Sequence, residues 1–456
     1  MKQTPLASLL LTIVMCTGWC GCVPPRDPTA PAPVAGDETP NTTPSPGTEP
    51  PMGEMTPADD VPQVQLPPDG LDEAERAAWI RTRRFLDAYG DVNEASVNLQ
   101  TRLHKAAEAG HTTVAAMLIE AGAKIDPRDR MGRTPLMLAS VHDRAPTAAL
   151  LLDKGAVATL RDNAERTSLH VASSVAVAEL LLGRGAAVDV RDSGGRSPFF
   201  SAVQRGKLDV AELLLARGAD PAELNARDRS GNSLVHHAVL TDQWPMLDFL
   251  IAKKADLNQV VQRGGAPLHL AVLRGARPAF DKLLAGGADL RVCDLSGRTA
   301  LHTAGMYGRS EMAGLLIDRG LDVNARDKYE LTPLHLAVAK EQAETAALLL
   351  ERGAAVDPKD KKGWTPLQYA ATWSSMTPTA ALLIEKGADV NAVDEAGASS
   401  LLKASGAGNA EGVRLLIEKG AAVNARDSNG ITPLGAATRG RREAVIEILK
   451  QHGATM

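Results

Sequence analysis

Six histidines stand at one recurring place in this chain. His104, His170, His236, His269, His302 and His335 each follow an apolar residue, and imidazole is the side chain best suited to proton transfer or metal binding near neutral pH. A metal centre or a general base needs its partners to converge on one point. These six recur at wide, regular intervals, so stacking the segments that carry them sets them in a row. His111, His142, His237 and His452 have no partner in the pattern. Three of the four cysteines fall within the first 22 residues, and Cys293 sits alone where equivalent turns carry Arg326 and Arg426. A disulfide framework and a Cys-based zinc module are thereby excluded. No phosphate-binding glycine loop, nucleophile elbow, HExxH or dinucleotide fingerprint is present. The expectation is a protein that is not an enzyme, with no catalytic residue, cofactor or metal.

The elements that carry the histidines are one unit repeated eleven times. Gly132-Arg133-Thr134-Pro135-Leu136 returns as Gly195-Arg196-Ser197-Pro198-Phe199, Gly363-Trp364-Thr365-Pro366-Leu367 and Gly430-Ile431-Thr432-Pro433-Leu434. The last, apolar slot falls at Leu103, Leu136, Leu169, Phe199, Val235, Leu268, Leu301, Leu334, Leu367, Leu401 and Leu434, in steps of 30 to 36 residues and mostly 33. A fixed period of this size marks a stacked repeat. Thr or Ser before Pro starts a helix: the hydroxyl caps free N–H groups, and Pro fits the first turn. About 19 residues after the slot comes a Gly, which ends a helix in the left-handed conformation; only the fifth repeat lacks it, with Lys254 instead. Two short helices lie between each Pro and each Gly, and Asp-x-x-Gly tips such as Asp360 to Gly363 supply the turn.

Leu268-His269-Leu270-Ala271, Leu301-His302-Thr303-Ala304, Leu334-His335-Leu336-Ala337 and the tract Leu382-Leu383-Ile384-Glu385-Lys386-Gly387-Ala388-Asp389-Val390-Asn391 resemble ankyrin repeats, over about residues 98–456. The resemblance implies an all-α ankyrin solenoid of helix-turn-helix repeats with β-turn or hairpin connections. It also implies that the recurrent His is structural, bonding backbone and the capping Thr between neighbouring turns. Ala at the third place after the slot permits close helix approach, which lets a chain with 3% aromatic residues build a core. Residues 71–97, ending in Tyr89-Gly90-Asp91-Val92-Asn93, read as a degenerate half repeat capping the array. Repeats 3 to 5 deviate at Ser173-Ser174-Val175, Pro221-Ala222-Glu223 and Gln243-Trp244-Pro245, which predicts a kink or a weak seam.

In ankyrin folds the variable turn and helix-end positions line a concave groove that faces partners. Here they hold Arg130, Arg133, Arg166, Arg196, Arg205, Arg229, Arg263, Arg274, Arg298, Lys328, Lys340, Lys361, Lys362 and Arg439, against only Glu108 and Glu395. Such separation steers acidic ligands. Met306, Tyr307, Tyr329, Trp364 and Trp373 gather in repeats 7 to 9 beside Lys328, Lys340, Lys361 and Lys362. Solvent-facing aromatics with cationic neighbours are binding anchors, so these nine residues are the expected contact site for a protein partner of acidic character. The competing arrangement has Trp364 and Trp373 packed on each other.

The first 70 residues read as address and tether. Lys2 precedes an apolar stretch of ten residues, Leu6 to Met15. It suits a signal segment and is shorter than the roughly 20 residues of a spanning helix. Gly21-Cys22 resembles the end of a bacterial lipoprotein signal, which makes Cys22 the expected lipidation site, although Trp19 and Cys20 depart from that pattern. Residues 23–70 hold 14 of the 28 prolines and carry a net charge of −7, the composition of a disordered spacer. Residues 71–456 are near neutral at +1, which argues against a nucleic-acid binder. The expectation is an exported monomer, tied to a membrane only by its N-terminal lipid, that binds a protein through its concave face. The alternatives are a regulatory or catalytic envelope protein and a binder of an anionic polymer.

Overall fold

The computed structural model describes residues 65–456, apart from Tyr89 and Arg263. The expected signal, Cys22 and most of the expected linker lie outside the described residues. Leu66–Met456 forms one compact unit. It is all-helical: 22 α-helices are joined by turns, and among the described residues pairing between turn arms is limited to isolated antiparallel bridges such as Ala95 with Thr101 and Val393 with Ser399. No described helix is long and apolar enough to cross a membrane.

Each repeat begins where the sequence places a cap. The Thr134 hydroxyl accepts the amide of Met137 (3.3 Å) ahead of the helix Pro135–Val141, and Ser197 accepts that of Phe200 (3.1 Å) ahead of Pro198–Gln204. Second helices run nine residues and end in a left-handed glycine, as at Gly320 and Gly353. Where the fifth repeat has Lys254, the lysine takes the same conformation (φ 60°).

Helices this short are marginal alone, so stacking stabilises them. First helices pack on first helices of the next repeat, and second helices on second helices. The Ala three places after the apolar slot is buried in all eleven repeats, from Ala106 to Ala437. Phe199, Phe200 and Phe280 are fully buried and supply the large volumes; each contributes roughly 2–3 kcal/mol of apolar transfer.

Polar bonds fix the register between repeats. The amide of Thr299 donates to His302 Nδ1 (3.2 Å), and His302 Nε2 donates to the Leu331 carbonyl of the next turn (3.1 Å). His104, His170, His236, His269 and His335 make the same bond to the following repeat. Asn side chains form a second ladder: Asn93 accepts the amide of Lys124, Asn324 that of Ala355 and Asn391 that of Ala422. Asn93 belongs to the segment after the leading helix Glu73–Asp87, whose Glu75 carboxylate accepts the amide and hydroxyl of Thr113 (2.9 and 2.6 Å).

The irregular repeats are bridged by substitute contacts. With three residues missing, the first helix of repeat 3 shrinks to a 3₁₀ turn, Ser168–Val171. The Arg205 guanidinium donates to the carbonyls of His170 and Ala172 and to Ser173 Oγ (3.3, 3.1 and 2.7 Å), closing the gap. Repeat 4 has Phe200 in place of the usual His. The inserted 3₁₀ turn Pro221–Asn225 sends buried Glu223 back to accept the Ser197 hydroxyl (2.7 Å) and to pair with Arg191. In repeat 5, Trp244 and Pro245 open a regular second helix, Trp244–Ala252.

Candidate protein-binding surface

The nine expected contact residues sit on two kinds of position. Met306 and Tyr307 close the first helix of repeat 7 (Ala300–Tyr307), Lys340 caps that of repeat 8 (Pro333–Ala339), and Trp373 follows that of repeat 9 (Pro366–Ala371). Lys328 and Tyr329 lie on the turn leading into repeat 8, and Lys361, Lys362 and Trp364 on the turn leading into repeat 9. The tips are joined edge to edge by backbone bonds. Lys328 N–H donates to the Ser296 carbonyl (2.9 Å), Lys361 N–H to that of Tyr329 (3.0 Å) and Glu395 N–H to that of Lys362 (3.1 Å). Tyr307, Tyr329 and Trp373 are exposed at 39, 57 and 47%. Lys328, Lys361 and Lys362 are exposed, whereas Met306 and Lys340 are half-buried. Met376, buried at the end of the 3₁₀ turn Ser374–Met376, anchors the irregular loop and leaves Trp373 outside.

Trp364 is corrected: it is half-buried and packs inward. Its ring lies 5.1 Å from that of Tyr369, and the Lys403 ammonium sits 3.5 Å above it. Its ring partners are thus Tyr369 and Lys403, which is neither the solvent-facing placement expected nor the competing pair with Trp373. Tyr369 is wedged edge-on against His335 at 5.9 Å and donates its hydroxyl to Asp360 Oδ2 (2.7 Å). Burial, with the Asp360 carboxylate beside it, raises the phenol pKa and keeps it a donor. Lys403 pairs with Asp394 (2.5 Å); burial lowers the amine pKa and Asp394 opposes that shift. A desolvated cation over a ring contributes about 2 kcal/mol, so Trp364 is held mainly by its own chain.

The basic face is also reshaped. In the turns leading into repeats 2, 3 and 4, Asp129, Asp162 and Asp192 each accept amides two and four residues on through Oδ1. Their Oδ2 atoms pair with Arg133, Arg166 and Arg196 at 2.7–2.8 Å. Burial would raise the Asp129 and Asp192 pKa values, but the arginines and turn amides outweigh it and hold them low. Arg298 pairs with Asp327 (3.1 Å), Arg274 with Asp242 (2.9 Å), and Arg205 is spent on carbonyls. Six of the fourteen cations expected on this face are thus engaged internally. Second helices neutralise each other as well, through pairs between consecutive repeats such as Arg217–Glu179, Lys282–Asp248 and Arg352–Asp318.

The recurrent histidines act within the repeat stack. In five of the six, Nδ1 accepts the amide of the helix-capping residue, whereas His236 Nδ1 bonds the Ser233 hydroxyl (2.7 Å); in all six Nε2 donates to a carbonyl of the next turn. Burial lowers their pKa values, to about 4 for His236 and His302. In those five a second proton on Nδ1 would face an N–H group. Gln368 replaces the histidine in repeat 9 and makes both bonds, accepting from Thr365 N–H (3.0 Å) and donating to the Ala398 carbonyl (2.9 Å).

The family model described as ankyrin repeats (3 copies) matches residues 82–162, 169–261, 235–327, 268–360, 320–394 and 375–456. The chain belongs to the ankyrin-repeat family. A relative described as an ankyrin repeat protein, from Rickettsia bellii (strain RML369-C), is 38% identical over 80 residues, covering 18% of this chain and 31% of the relative. Ankyrin repeats are protein-interaction scaffolds, and that coarse role carries over to this one.

Sequence reasoning missed Tyr369, Lys403 and exposed Leu295. The first two share the place two residues after the apolar slot, where Leu138, Leu270 and Leu336 stand in other ankyrin units. A polar residue there was the available signal. In repeat 5 the same place holds His237, which bonds Asp228 Oδ2 (3.0 Å).

Proposed function

We propose that the protein is an exported scaffold, lipid-anchored at Cys22, that holds another protein against the face made by its turns and first helices, centred on repeats 7 to 9. It works as a monomer and performs no chemistry of its own. One observation carries the reading: in a chain with only four Tyr and five Trp, Tyr307, Tyr329 and Trp373 stand in solvent on neighbouring repeats. Packing gains nothing from them there, whereas rigid amphipathic rings are the usual interface anchors. The exposed Lys328, Lys361 and Lys362 beside them favour a partner of acidic character. The apolar stretch Leu6–Met15 and Gly21-Cys22 support export and anchoring, and the Pro-rich residues 23–70 supply reach from the membrane.

The test captures the partner from the producing cell's own envelope and then measures its affinity. Tyr307→Ala with Trp373→Ala weakens binding by about tenfold or more, with the unfolding midpoint unchanged. Undiminished binding moves the site elsewhere. Cys22→Ser shifts the protein from the membrane fraction to the soluble one; unchanged fractionation removes the anchor from the proposal.

A further inference from the structure

The turn tips of repeats 8 and 9 differ from those of repeats 2 to 4 in how the recurring aspartate is neutralised. Asp129, Asp162 and Asp192 hold an arginine, which removes that cation from recognition. Asp360 instead takes the neutral Tyr369 hydroxyl, while Asp327 is served by Arg298 from the preceding turn. Among the described residues neither Lys361 nor Lys362 has an ion-pair partner, and the Lys328 ammonium donates to the Leu295 carbonyl (2.7 Å), leaving its charge uncompensated by a carboxylate. The same bonds make the patch contiguous. Leu295 touches Lys328, Tyr329 accepts the Lys361 amide, and Lys362 follows. Leu295 and Tyr329 are exposed at 56 and 57%. Glu330, two residues after Lys328, pairs with Arg326 (3.2 Å), and the exposed Glu395 of the next tip meets Lys362 through a backbone bond (3.1 Å).

We propose that this patch, made of Leu295, Lys328, Tyr329, Lys361 and Lys362, binds an acidic peptide segment whose carboxylates pair with the three lysines and whose apolar side chains lie on Leu295 and Tyr329. The proposal rests on the scaffold reading and adds the chemistry of the partner. Charge complementarity selects the occupant. A polyanion such as a nucleic acid gains affinity from many cations along its length, and Arg133, Arg166, Arg196, Arg274 and Arg298 of this face are already held by aspartates. Three lysines interleaved with two apolar side chains match a short stretch of mixed acidic and apolar residues.

The full chain is titrated with a fluorescent peptide of alternating Glu and Leu, with its Gln-for-Glu counterpart, and with single-stranded DNA. The Glu peptide binds about tenfold tighter than the Gln peptide, and salt erodes the difference. Lys361→Glu with Lys362→Glu abolishes that preference without moving the unfolding midpoint; Lys361→Gln with Lys362→Gln, which adds no repulsion, reduces it. Equal binding of the two peptides, or a preference that survives charge reversal, overturns the proposal. DNA binding tighter than the Glu peptide through the same lysines overturns it in favour of a polyanion site. Each such failure leaves the scaffold reading intact while Tyr307→Ala with Trp373→Ala still weakens capture of the envelope partner. Loss of that effect with the peptide preference preserved removes the scaffold reading alone.

Discussion

Lys254 shows how strongly one backbone position is dictated. Its neighbours in the ladder are glycines such as Gly287 and Gly320, with positive φ and open space where a Cβ would stand, and Lys254 adopts φ 60° among them. A non-glycine residue there costs roughly 1–2 kcal/mol, partly offset because glycine loses more entropy on folding. Lys254→Gly therefore stabilises the protein by roughly 0.5–1 kcal/mol, read as a higher urea midpoint; a lower midpoint means the lysine side chain makes a compensating contact. Gln368 and Glu223 teach the same lesson from the polar side. In repeats 9 and 4, which lack the histidine, another side chain bonds the capping residue. The histidine role was expected from the ankyrin resemblance, and the structure realises it locally, with cap and imidazole three residues apart. The fate of Trp364 was not, because Lys403 above it comes from the next repeat.

At the scale of elements, the apolar ladder placed every first helix, and the Ala slot explains how closely they approach. Gly305 marks an extreme. A Cβ there would stand 2.5 Å from the Pro333 carbonyl oxygen of repeat 8. Alanine is the better helix former by about 1 kcal/mol, but overpacking costs about 1–3 kcal/mol, and the rigid backbone cannot swing aside. Gly305→Ala is thus destabilising by about 1 kcal/mol, measured by urea unfolding; stabilisation would show that the two helices separate freely. The 3₁₀ turn of repeat 3 was readable as a deletion, whereas the guanidinium that fills the gap was not. Arg205 looked like one more surface cation until the neighbouring carbonyls were in place.

The whole molecule carries a buried row of neutral imidazoles, and this gives it a pH response. His104, His170, His236, His269, His302 and His335 all have folded pKa values below the usual 6.5, with His236 and His302 near 4. Between about 4 and 6.5 the unfolded chain binds more protons than the folded one, so unfolding free energy rises with pH there. The stability is fully present above about 6.5 and is lost as pH falls toward 4, on the order of 3 kcal/mol each for His236 and His302. Asp129 and Asp192, held below the usual carboxylate value, add a further loss only as pH falls through that value, near 4 and lower. Unfolding midpoints measured from neutral pH down to about 4 fall steadily. His302→Gln, which copies Gln368, keeps both bonds and flattens its share of that slope; an unchanged slope means this imidazole does not titrate on unfolding.

The sequence by itself determined the repeat period, the caps, the left-handed helix ends and the row of histidines, because each depends on residues close together in one unit or on their recurrence. It also marked repeats 7 to 9 as chemically unusual. Only the tertiary structure decided which of the marked side chains remain available. Neutralisation of an arginine, burial of a tryptophan and the freedom of Lys361 and Lys362 depend on carboxylates, rings and hydroxyls brought together by turn geometry and by adjoining repeats. Charge can be counted along a chain, but its availability is set by what folding places beside it.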